Sequence, residues 1–230
     1  MSRLRNPGYV LLQHPVPVTI GQGGLAPILI LGALFAAISA RAGLPIATAT
    51  VLGMVGGTAS LIAHELGHVR AARKLTGLRP VGVSLIWLGA ATRLEGAYAS
   101  GRDQARVAIA GPRVSFGVAL GLLSFLFLPL PVGLKDLVLT LAALNIALGL
   151  LSLIPASPLD GYKLIVGLLW SALGSEASAR KLIRRLASTW LVIEILGTGV
   201  LLVEKPLLGV MVVAIAASLF GQKLFARSRG

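Results

Sequence analysis

Cysteine is absent from the 230 residues. That excludes disulfides, thiolate metal sites and a cysteine nucleophile, and leaves imidazole and carboxylate as the groups able to hold a metal. Charge is also scarce. Only 13% of residues are Asp, Glu, Lys or Arg, against about a quarter in a soluble domain, so an ordinary water-soluble globule is excluded. The chain has eight acidic residues, three histidines and 5% aromatics. The net charge of +13 comes without an aromatic-interleaved basic module, which argues against nucleic acid as a partner. What is abundant is apolar: 56% hydrophobic residues and a mean hydropathy of +0.88. The N-terminal stretch "MSRLRNPGYVLLQHPVPVTIGQGG" is broken by Pro and Gly and lacks signal-peptide order, so it is expected to be retained.

Uncharged apolar runs organise the rest, since about 20 residues at about 1.5 Å rise cross the hydrocarbon. Six are read, over 25–40, 46–72, 107–131, 137–159, 186–203 and 206–222. The run 164–174 is too short to cross and reads as an interfacial or re-entrant piece. With six crossings, 18 of the 21 Lys and Arg fall on one side, and the positive-inside rule makes that side, with both termini, cytoplasmic. Residues 77–96, "GLRPVGVSLIWLGAATRLEG", mix β-branched residues with Gly and read as two short strands at the membrane surface. The expected fold class is an all-α integral membrane protein of about six transmembrane helices, with a small β-sheet element between the second and third spans. It is read as a single domain over 1–230. Gly53 with Gly57, and Gly117 with Gly121, have the spacing of close helix contacts.

Against this background "SLIAHELGHVRAARKL", residues 60–75, stands out. Positions four apart share a helix face, so His64 and His68 can address one ion while Glu65 reaches beside it. This is the H-E-x-x-H arrangement of two zinc ligands with a general base. Two imidazoles and a carboxylate inside an apolar helix are costly without a compensating ion or partner. A catalytic zinc needs a third protein ligand. His14 lies in a Pro-rich segment and reads as a surface residue, leaving Asp160 and Glu194 as acids at membrane depth. Asp160 ends the fourth run in "IPASPLDGYKL", where Pro155 and Pro158 deny the helix backbone donors and Gly161 permits a turn. The topology puts it on the side of His68. Glu194 reads either as a substrate gate or as an ion-pair partner for a residue such as Arg113.

Together these residues resemble the site-2 protease family of intramembrane zinc metalloproteases. Its members carry H-E-x-x-H in one membrane helix and a downstream N-x-x-P-x-x-x-L-D-G element. The resemblance implies His64, His68 and Asp160 as zinc ligands and Glu65 as the residue that activates water. It also implies substrate contacts at Asn145, Ser152 and Pro155. "AGPRVSFG", residues 110–117, resembles the family's Ala-Gly-Pro helix opening. Ser152 replaces the usual Asn and Tyr162 a frequent Gly, and no PDZ-like or CBS domain is seen. The implied activity is hydrolysis of peptide bonds in single-pass membrane proteins, pre-cleaved by another protease. The implied location is a bacterial or archaeal plasma membrane. The competing readings are a zinc transporter and an inactive substrate-binding relative. A transport path needs polar sites along its length, and the far halves of the spans have almost none.

Overall fold

The structure is a computed structural model that describes residues 9–183 except 22, 43–44 and 88. The fifth and sixth expected spans, and Glu194, lie outside the described residues. The elements run β1 (Tyr9–Leu12), β2 (Val18–Ile20), α1 (Leu25–Ala42), α2 (Ile46–Ala72), β3 (Leu78–Ile86), β4 (Gly89–Gly96), α3 (Gly101–Ser124), α4 (Val132–Ser152) and α5 (Asp160–Leu173). Segments Ile46–Ala72, Gly101–Phe127 and Val132–Ser152 are long and apolar enough to cross a membrane. Val55, Leu120, Phe127 and Val132 point outward and are exposed, as expected of a membrane protein whose surface meets hydrocarbon.

Helix α3 is central and packs against α2, α4 and α5. It begins at Gly101, ahead of the expected 107, because Ser100 caps it by accepting from the Asp103 amide at 3.2 Å. Helix α4 likewise starts earlier than expected, after Pro131, and ends at Ser152 where the sequence suggested 159. Pro155 explains that end, since it has no N–H to continue the ladder and biases Ile154 away from helical angles. Asp160 therefore does not close the fourth helix. It opens α5, which absorbs the short 164–174 run and stops at Gly174 in a left-handed conformation.

The sheet is larger than the two strands expected between the second and third helices. β3 and β4 form the antiparallel hairpin of residues 78–96, but β2 adds parallel to β3 and β1 antiparallel to β2, in the order β1-β2-β3-β4. Thr19 and Ser84 hydroxyls meet at 3.0 Å across the β2–β3 seam. Val16, Val18, Val69 and Val83 bury together, fastening the sheet to the end of α2. The glycine expectation holds in one helix pair. A Cβ at Gly53 or Gly57 would strike Phe35 or Leu31 of α1, whereas Gly117 and Gly121 have no described atom within 4 Å.

Candidate metal centre

His64 and His68 lie on the buried face of α2, at 3% and 6% exposure, with ring centroids 5.1 Å apart. Each ring is held through Nδ1 by α3: His64 by the Ser115 hydroxyl at 2.8 Å, His68 by the Val107 carbonyl at 2.7 Å. That carbonyl precedes the one at Ala108, whose intrahelical donor is removed by Pro112 inside α3. Gly67 and Gly111 set how closely the two helices approach. A Cβ at Gly67 would meet the Ala110 carbonyl at 2.7 Å, and one at Gly111 would fall on the Nε2 atoms of both histidines.

Asp160 reaches the same point from α5. Its Oδ2 lies 3.2 Å from His64 Nε2 and 3.0 Å from His68 Nε2, and its Oδ1 accepts from Lys163 Nζ at 3.1 Å. Three contacts place it. Gly101 and Gly167 bring α3 and α5 together backbone to backbone. The Gln104 amide donates to the Lys163 carbonyl at 2.9 Å. Gly161 packs against the Leu153 and Ile154 carbonyls where a Cβ would collide. Gly161 is thus needed for close approach inside a helix, not for the turn its sequence context suggested.

The donor set suits a small cation. A carbonyl only accepts, so His68 Nδ1 carries its proton and the Nε2 of the neutral ring presents a lone pair. That lone pair faces a carboxylate oxygen, an arrangement of two acceptors that a cation between them would relieve. Zinc bonds of about 2.0–2.1 Å in tetrahedral geometry put ligand atoms about 3.3 Å apart, close to the 3.0 and 3.2 Å found here. The space that a Gly111 Cβ would fill stays open beside both nitrogens. The residues present therefore fit a metal.

Glu65 is partly buried, and the ligating atoms of His64, Glu65 and His68 lie within 4.8 Å of one another. Its carboxylate accepts from the Thr92 hydroxyl of β4 at 2.6 Å. Tyr98, in the turn before α3, has its phenol pushed above its ordinary range by burial and then by the Asp160 charge. His14 is exposed, as expected, and is not among the residues that converge on this cluster. Asn145 is fully buried on α4, donating to Ser60 Oγ at 2.9 Å and to the Leu141 carbonyl at 2.8 Å. Ser152 is buried and spends its hydroxyl on the Gly149 carbonyl, while Pro155 is exposed in the turn before Asp160. Ser115, Lys163 and Thr92 were not singled out from the sequence, and Gly111 entered only as part of the Ala-Gly-Pro resemblance. Of the first three, only Lys163, three residues after Asp160 on a helix, carried a local signal.

No family model matches the chain. Three proteins named as zinc metalloproteases are similar to it in sequence. The protein sll0528 of Synechocystis sp. is 33% identical over 160 residues, 67% of this chain and 42% of that protein. Rip3 of Mycobacterium tuberculosis is 34% identical over 125 residues, 53% of this chain and 32% of its own length. MJ0392 of Methanocaldococcus jannaschii is 32% identical over 149 residues, 63% of this chain and 43% of its own length. The chain thus spans less than half of each. Among solved structures, the Site-2 Protease from Methanocaldococcus jannaschii shares the fold with a TM-score of 0.62 at 20% identity, covering 93% of this chain and 92% of that one. The sequence relatives are thus proteins named as zinc metalloproteases, and the fold is the one seen in a site-2 protease.

Proposed function

We propose that this protein is an intramembrane zinc metalloprotease, with His64, His68 and Asp160 as zinc ligands and Glu65 as general base. The observation that carries this reading is the convergence of two Nε2 atoms on one Asp160 oxygen, with both Nδ1 atoms engaged elsewhere. Bound there, zinc would supply Lewis acidity, polarising the scissile carbonyl and making water nucleophilic near neutral pH. Glu65 takes the proton from the attacking water and delivers it to the departing amine. The Val107 carbonyl holds the His68 imidazole in the tautomer that leaves Nε2 free, and Ser115 fixes the orientation of the His64 ring. Lys163 occupies the second Asp160 oxygen, leaving one for the metal.

The chain is read as multi-pass, with six spans, cytoplasmic termini and the sheet at the cytoplasmic membrane surface, in a bacterial or archaeal plasma membrane. Substrates are single-pass membrane proteins, cut beforehand by another protease. A transmembrane helix hides its carbonyls in hydrogen bonds, so it must unwind, and β4, whose outer edge pairs with no strand among the described residues, offers a strand to pair with. Ser152 and Pro155, flanking the turn that leads to Asp160, are assigned to the substrate path. Asn145 spends its Nδ2 on Ser60 and the Leu141 carbonyl, so the buried Oδ1, which has no hydrogen-bond partner among the described residues, is the atom it has left to join them.

The test uses full-length protein in liposomes with a membrane-anchored reporter, comparing wild type with Glu65→Gln while zinc is measured by elemental analysis. Cleavage by wild type alone, at equal zinc content, supports the reading. Equal cleavage by both would sink it, and so would a chain that binds no zinc.

A further inference from the structure

Thr92 lies on β4 opposite Val83 of β3, at the sheet edge that faces α2. Its hydroxyl sits 2.6 Å from Glu65 Oε2 and 3.1 Å from the Glu65 carbonyl oxygen. A hydroxyl has one proton to donate. The carbonyl is interior to α2 and has its own amide donor four residues on, whereas the carboxylate oxygen has no other hydrogen bond among the described residues. The shorter contact also lies in the range of charge-assisted O–H···O⁻ bonds. The proton therefore goes to Oε2.

A glutamate side chain on a helix has three rotatable bonds, and burial alone does not choose among their settings. Thr92 chooses one, and it does so from an element other than α2 or α3, the helices that hold the histidines. From this geometry we propose that Thr92 is the positioning residue for the general base. It anchors Oε2 so that Oε1 is the oxygen that receives the proton from water and returns it to the leaving nitrogen. The net change is unaltered hydrolysis: one water and one peptide bond give a carboxylic acid and an amine. Because β4 is also the strand whose outer edge pairs with no other strand among the described residues, the residue that orients the base belongs to the strand along which an extended peptide would lie. Base and scissile bond then share one frame.

This inference rests on the metalloprotease reading and is tested beside it. Thr92→Ser keeps the hydroxyl, Thr92→Val keeps the volume without it, and Thr92→Ala keeps neither. Each variant is reconstituted as the full chain with the reporter, and kcat, KM and zinc content are measured. If Thr92 positions the base, Thr92→Ser retains kcat within a few-fold. Thr92→Val and Thr92→Ala should both lose about 10- to 100-fold in kcat, with KM and zinc content unchanged. The proposal is overturned if activity follows side-chain volume, with Val near wild type and Ser impaired. It is equally overturned if zinc or folded protein falls in step with kcat, since Thr92 is then merely structural. Glu65→Gln separates the two levels. Activity that depends on Glu65 but not on the Thr92 hydroxyl removes this inference alone, and activity independent of Glu65 removes both.

Discussion

Replacing Gly111 by alanine adds one methyl group at the point where α3 faces both imidazoles. The added Cβ would lie 2.6 Å from His64 Nε2 and closer still to His68 Nε2, where ordinary contact begins at 3.4 Å. His64 or the helix must therefore yield by about 0.8 Å, the difference between 3.4 and 2.6 Å, and His68 by more. A metal site tolerates ligand displacements of only about 0.2 Å, and the rings cannot swing aside freely because Ser115 and Val107 hold their other nitrogens. Overpacking of this kind costs about 1–3 kcal/mol. If that cost falls on metal binding, zinc affinity drops roughly five- to 150-fold. The assay is zinc competition against a chelator of graded strength, on purified full-length protein whose folding is checked by thermal unfolding. Gly117→Ala supplies the control, because no described atom lies within 4 Å of a Cβ there. Wild-type zinc affinity in Gly111→Ala would refute the reasoning, as would an equal loss in Gly117→Ala.

Three further outcomes follow from the same contacts. Ser115→Ala leaves His64 Nδ1 without its partner and should weaken zinc binding about 10- to 100-fold, while Ser115→Thr, which keeps the hydroxyl, should recover most of it in the same competition assay. Gly161→Ala drives a methyl group into the Leu153 and Ile154 carbonyls, backbone that cannot rotate away. It should lower both the midpoint of thermal unfolding and zinc content, because the α4–α5 turn and Asp160 move together. Lys163→Gln should do little: the ion pair with Asp160 is half-exposed and worth about 1 kcal/mol or less. Its zinc affinity should stay within about five-fold of wild type, and a larger loss would show that Lys163 fixes the carboxylate more firmly than its exposure suggests.

The residues that converge at this point were legible in the sequence because their chemistry is local. His64 and His68 are related by one helical repeat, and that repeat is enough to put them on one face of α2. Asp160, 96 positions from His64, needed more, and the family's L-D-G pattern and the charge asymmetry of the loops supplied it. What could not be read is what arrives from another element. The strands at Tyr9–Leu12 and Val18–Ile20 are four and three residues long and separated by prolines, so their extended form comes from pairing onto β3 and not from any pattern of their own. Thr92 and Ser115 are unremarkable hydroxyl residues until β4 and α3 are laid against α2.

The glycines show why this limit is physical. Gly53 with Gly57 and Gly117 with Gly121 have identical spacing, yet the first pair seats Phe35 and Leu31 and the second faces no described atom. Spacing on a helix says which residues share a face, and nothing about what stands opposite. Gly111, the glycine on which the two Nε2 atoms converge, belongs to no such repeat. Its absent side chain is required by imidazoles on another helix more than 40 positions earlier. A local code identifies the groups able to bind a metal. The space in which they bind it is a property of two packed backbones, and only the assembled α2–α3 pair reveals it.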